Sequence, residues 1–75
     1  MKDNIKQIIA QVLNIPVGEI NDDASTQTIT NWDSLNHMNI IFAIEEQLGI
    51  TFEDDEIMNL TSLDKIVEST QKHLG

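Results

Sequence analysis

Apolar residues recur along this chain at helical spacing and nowhere alternate as a half-buried strand would. Ile5, Ile8, Ile9, Val12 and Leu13 follow the i, i+3, i+4, i+7, i+8 rule of an amphipathic helix, which predicts a first helix over 3–14 with Asp3 as its cap. Pro16 and Gly18 interrupt the pattern, and residues 19–31 show neither helical nor strand periodicity, so a long loop is expected there. Ile15, Val17, Ile20 and Ile29 are placed to pin that loop onto the helices. A second helix is predicted over 34–48, with Asp33 as a short oxygen-bearing cap before it and Gly49 as its left-handed terminator. After Ile50 and Phe52, the acids Glu53 to Glu56 open a short helical turn containing Ile57, Met58 and Leu60, where the helix dipole favours negative charge. A last helix begins near Thr61 or Ser62, with Thr61 and Asp64 at capping-box spacing and Leu63, Ile66, Val67 and Leu74 on its apolar face. The expected class is all-α: a small four-helix bundle of three main helices and one short one.

The second helix carries two apolar stripes. Ile40, Ile41, Ile44 and Leu48 cluster on one side, while Leu35, Met38 and Phe42 cluster on nearly the opposite one. One core cannot receive both faces. Either the helix is packed between neighbours, or the second stripe is an exposed docking strip, a role that suits the flexible thioether of Met38.

Seventy-five residues allow a single domain over 1–75. A domain of that size hides only about 60% of its unfolded-chain surface, which argues against a deep substrate-enclosing cleft. Charge narrows the choice further. The formal net charge is −9, and its four basic residues, Lys2, Lys6, Lys65 and Lys72, all lie toward the ends. Between Gln7 and Asp64 there are eleven acids and no Lys or Arg. Such a surface repels nucleic acid and anionic membranes and steers basic protein patches toward itself. With no cysteine and no apolar run near the roughly 18 residues of a membrane span, the expectation is a soluble, unprocessed, cytoplasmic monomer.

The chemistry concentrates in Asn31-Trp32-Asp33-Ser34-Leu35-Asn36-His37-Met38. Ser34 falls in the first turn of the second helix, where free backbone N–H groups and the positive end of the dipole favour a phosphate on its hydroxyl. Ser34 and His37 are i, i+3 neighbours, but a nucleophile and base need an orienting third group, an oxyanion site and a pocket, and no glycine-flanked elbow surrounds this serine. Trp32 and His37 occupy the two positions of a hydrophobic staple around Asp33, which makes His37 a surface residue of the first turn beneath Trp32. The acidic runs Asp22-Asp23 and Asp54-Asp55-Glu56 lack the alternating ligands, central glycine and distal glutamate of a calcium loop. His73 is read as a cation for the last turn of its own helix when protonated.

Trp32-Asp33-Ser34-Leu35, then Glu45-Glu46 and Gly49-Ile50-Thr51-Phe52, with the preceding Ile20-Asn21-Asp22-Asp23-Ala24-Ser25, resembles the acyl carrier protein family over essentially the whole chain. The resemblance implies a non-catalytic carrier whose Ser34 receives covalent 4′-phosphopantetheine from coenzyme A through a phosphopantetheinyl transferase, with Asp33 and Leu35 as neighbours in the recognition motif. It also implies acyl intermediates held as thioesters for fatty-acid, polyketide-like or other specialised biosynthesis, sheltered where helices two, three and four part. Acyl-loading and acyl-processing enzymes with basic patches would dock on Leu35, Met38, Asn39, Phe42, Glu45 and Glu46. Asn36 and Asn39 stand where carriers of primary fatty acid synthesis commonly have acids, and Asn31-Trp32 replaces the usual glycine-containing lead-in. These departures resemble discrete carriers of specialised pathways. The competing expectation is an unmodified acidic helical adaptor that recruits a basic partner through the same strip.

Overall fold

The computed structural model describes residues 1–75 and contains four α-helices, with no strand beyond an isolated bridge between Ser25 and Ser62. Helix α1 spans Lys2–Leu13, α2 Ser34–Leu48, α3 Asp54–Asn59 and α4 Leu63–Leu74; a single 3-10 turn, Val17–Glu19, lies between α1 and α2. The whole measures 28 × 22 × 19 Å.

Helix α1 packs against both α2 and α4, and the apolar faces anticipated for the three meet in one core. Ile5, Ile9, Ile40, Ile41, Ile44, Leu63 and Ile66 are fully buried there. The first stripe of α2 is therefore its core face. Phe52, Ile57 and Leu60 close the core from the α2–α3 connection and from α3. Of the six residues of α3, only Ile57 is buried, so this helix is the most lightly embedded of the four.

Helix boundaries follow local chemistry closely. Asp33 caps α2, its Oδ1 accepting the N–H of Asn36 at 2.9 Å. Gly49 ends the helix at φ 67°, its N–H returning to the Glu45 carbonyl. A Cβ at Gly49 would meet nothing within 4 Å, so the barrier to substitution is the left-handed backbone itself. Gly49→Ala is expected to lower stability by about 1 kcal/mol, measured as a shift of the urea midpoint at unchanged slope; a neutral result would mean that the corner re-forms with negative φ. Asn14 ends α1 in the same way at φ 57°, a conformation that asparagine tolerates better than most residues.

Two expected caps are not formed. Asp3 lies inside the first turn of α1, whose cap is Met1, so its carboxylate acts through charge near the helix start. Ser62, not Thr61, caps α4, its Oγ accepting the Lys65 N–H at 3.3 Å; with lysine three residues on, no carboxylate closes a box. The reciprocal box forms instead on α3, between Glu53 and Glu56.

The long loop is ordered by the junction between α3 and α4. The N–H of Thr26 donates to the Thr61 carbonyl at 3.0 Å, and that of Leu63 to the Ala24 carbonyl at 2.9 Å. Ile20 and Ala24 are buried beneath it and Ile15 and Ile29 pack partly against the core, but Val17 is exposed, so the 3-10 turn points that side chain outward. Lys6 pairs with Asp22 at 2.8 Å, joining the loop to α1. This contact, aided by Lys2, holds the Asp22 carboxyl below its usual range. Leu74 is exposed, so the buried face of α4 ends one turn earlier at Thr70, whose buried Oγ1 meets no hydrogen-bond partner.

Candidate functional site

Ser34 is the first residue of α2 and is exposed. Because Asp33 takes the Asn36 N–H and the His37 N–H returns to the Asp33 carbonyl at 2.8 Å, the N–H groups of Ser34 and Leu35 precede the first intrahelical bond and face the space in front of the helix. Asn36 adds a second tie, its side-chain Nδ2 donating to the Asn31 carbonyl at 2.8 Å. A carboxylate at this position has no proton to donate, so the amide is what fastens the Asn31-Trp32 lead-in to the helix.

Beside Ser34 lies an open groove of about 550 Å³, lined by Trp32, Ser34, His37, Met38, Ile57 and Met58 among others. Met58 is 79% exposed. In sequence it reads as one of the three apolar residues of the short turn with Ile57 and Leu60; in the structure only those two face the core. Trp32, by contrast, is 2% exposed and belongs to the core. Only its indole N–H looks outward, to Nδ1 of His37 at 3.1 Å. The other ring nitrogen of His37 lies 2.9 Å from the Ile57 carbonyl. His37 is thus a bridge between α2 and α3 and not a free surface residue. With both nitrogens committed, it has none left to take a proton from Ser34.

His73 is also redirected. Its Nε2 lies 2.9 and 3.2 Å from the two carboxylate oxygens of Glu56 on α3, and its ring meets Phe52 edge-on at 5.2 Å. The bond from His73 is the main cause that holds the Glu56 carboxyl below its ordinary value, assisted by the Glu53 N–H. The unfolded chain therefore takes up a proton at Glu56 at a higher pH than the folded one does. This part of the stability is present above the ordinary carboxylate range and is lost as pH falls through the lowered value. Glu56→Gln is expected to lower the urea midpoint at pH 7 and to flatten its decline below about pH 4.5. Parallel pH profiles for parent and variant would show that Glu56 is not a source of the acid sensitivity.

Along the outer face of α2, Leu35, Asn39, Phe42 and Glu46 form one exposed line, with Leu35 at 73% and Phe42 at 55% exposure. Met38 and Glu45 do not share it fully. Met38 is half-buried against the core and lines the groove. Glu45 is half-buried with its Oε2 accepting the Phe52 N–H at 2.8 Å, so it fastens the corner after α2. No sequence pattern announces that bond, because its partner is a backbone group beyond a turn.

A family model described as a phosphopantetheine attachment site matches residues 3–69. The chain is 30% identical over 74 residues to polyketide-8 synthase acyl carrier protein 2 of Streptomyces avermitilis, a match covering 99% of this chain and 85% of that protein. It is 36% identical over 70 residues to an acyl carrier protein of Buchnera aphidicola, covering 93% of this chain and 90% of the relative. In structure it resembles the holo acyl carrier protein of Geobacter metallireducens, with a TM-score of 0.86, 29% identity and coverage of 97% of this chain and 84% of the other.

Proposed function

The chain belongs to the acyl carrier proteins of the phosphopantetheine-attachment family, and from that premise we propose that Ser34 is its attachment residue and the outer line of α2 its docking face. It is a non-catalytic carrier of acyl groups, and its cofactor is covalent 4′-phosphopantetheine. That arm, when bound, supplies the thiol on which acyl groups are held as thioesters. Its partners are a phosphopantetheinyl transferase and acyl-processing enzymes. The observation that carries the proposal is an exposed hydroxyl on the first residue of an Asp33-capped helix, at the lip of a groove.

The residues fit that cofactor. A phosphodiester at Ser34 would sit before the unpaired N–H groups of the first turn, at the positive end of the α2 dipole. Asp33 holds the turn in place by capping it, and Leu35 presents an apolar side chain next to the serine. For the partner enzymes we propose basic patches, because the surface between Gln7 and Asp64 carries eleven acids and no Lys or Arg, and opposite charge raises encounter rates more than it raises affinity. Phe42 and Leu35 then give apolar register, with Glu46 as the exposed acid of the line. Weak docking suffices, since a tether raises the local concentration of its cargo to roughly millimolar. No helix is long and apolar enough to cross a membrane, and the same proposal places the protein in the cytoplasm as a monomer.

Incubation with coenzyme A and a broadly active transferase, followed by intact mass and peptide mapping, tests the attachment. One added phosphopantetheine on the peptide containing Ser34 is expected; an unmodified chain or another serine refutes the assignment. For the docking face, Phe42→Ala is expected to change stability by no more than about 0.5 kcal/mol while slowing a partner's turnover of the loaded carrier. Met38→Ala should cost the fold more, as it removes side-chain volume packed on the core. Equal stability losses in chemical denaturation would place both residues in the core.

A further inference from the structure

The indole N–H of Trp32 can only donate, so Nδ1 of His37, 3.1 Å away, must accept. The ring proton therefore sits on Nε2, which donates to the Ile57 carbonyl at 2.9 Å. A neutral His37 ring of one defined tautomer thus joins a core tryptophan, the first turn of α2 and the backbone of α3. It does so in the wall of the groove that begins at Ser34. This matters because α3 itself is lightly held: it has one buried residue of its own, the buried Phe52 and Leu60 at its flanks, and the His73–Glu56 bond from α4. Ile40, Ile41 and Ile44 of α2 and Ile57 of α3 are buried in one core, and the depressions of the molecule all open to solvent.

We infer that His37 is a positioning residue that keeps the α2–α3 seam shut beside Ser34, so that a carried acyl group lies in the open groove and does not enter the isoleucine core. This rests on the reading of Ser34 as the attachment residue. The groove offers Met38 and Met58 together with Thr26 and Thr61, so it suits a short acyl group that bears oxygen. Thioethers adapt to irregular apolar shapes, and hydroxyls both donate and accept. A long saturated chain has no enclosed place to go unless the bond to Ile57 is broken.

The test uses a transferase to load acetyl- and octanoyl-4′-phosphopantetheine from the corresponding coenzyme A thioesters, with adenosine 3′,5′-bisphosphate leaving, onto the parent, His37→Gln and His37→Phe, with Ser34→Ala as the loading control. Intact mass comes first. Loading that persists in Ser34→Ala overturns the attachment reading and leaves the closed seam to be judged by the tautomer alone. Nitrogen chemical shifts of His37 in the unloaded parent should show the proton on Nε2; a proton on Nδ1 overturns the inference. Thioester cleavage by hydroxylamine and the methyl shifts of Ile40, Ile41 and Ile44 are then compared between the two acyl lengths. In the parent, both thioesters should be cleaved at equal rates and the core methyls should not move. His37→Gln, whose amide can still donate to the carbonyl, should behave as the parent. In His37→Phe, which keeps a ring without its nitrogens, the octanoyl thioester should be cleaved more slowly than the acetyl, because one lost hydrogen bond raises the opening equilibrium about fivefold. Core methyls should shift with it. An octanoyl group already shielded in the parent, or one still fully exposed in folded His37→Phe, refutes the closed seam; if that variant does not fold, the parent and the tautomer decide.

Discussion

Ser34→Ala is expected to leave the fold intact and to abolish covalent loading completely. Asp33 supplies the cap of α2 through its bond to the Asn36 N–H, and alanine is the best helix former at the position that follows, so stability should change by at most a few tenths of a kcal/mol. Loading has no reserve site. Ser25 is held in a loop where its Oγ accepts the Gln27 N–H, Ser62 spends its hydroxyl capping α4, and Ser69 lies within α4. Intact mass after transferase treatment should show one adduct on the parent and none on the variant. An adduct on the variant would mean that another serine is used.

The second large effect belongs to Trp32. Its side chain is among the largest fully buried ones, and it also anchors His37. Trp32→Ala should cost about 3–5 kcal/mol through the lost burial and the cavity left behind. A domain of this size has a total stability of roughly 4–11 kcal/mol, so the variant should be poorly populated or unfolded at 37 °C. Trp32→Phe fills most of the space but leaves His37 without its donor, and should fall between the two. Chemical denaturation of all three proteins checks the order; a Trp32→Ala protein as stable as the parent would mean that Trp32 is a surface contact.

The staple spacing of Trp32 and His37 shows that the two residues meet, but not whether the indole is buried. Periodicity could not decide, because Trp32 precedes the helix and follows a loop. What was legible in the sequence is the chemistry that acts over one helical turn. Asp33 before Ser34 and Gly49 after Leu48 bound α2 at the residues observed, and the isoleucine stripe names its core face. The illegible part joins residues far apart in sequence. His37 reaches Ile57 across 20 residues and His73 reaches Glu56 across 17, and neither pair carries a local pattern. Glu45 shows the same limit from the opposite direction: an acid on a helix surface reads as a docking charge until its hydrogen bond to the Phe52 N–H is seen.

Asn36 has a bearing on the modified protein as well as on the lead-in it fastens. On the proposed attachment at Ser34, a phosphodiester anion would enter a first turn whose only carboxylate is Asp33, because Asn36 is uncharged. An anion at a helix start is favoured by the dipole, and Coulomb repulsion from a second nearby carboxylate would offset that gain. The neutral amide of Asn36 therefore leaves that gain intact, and the proposed loading should raise the thermal midpoint of this carrier.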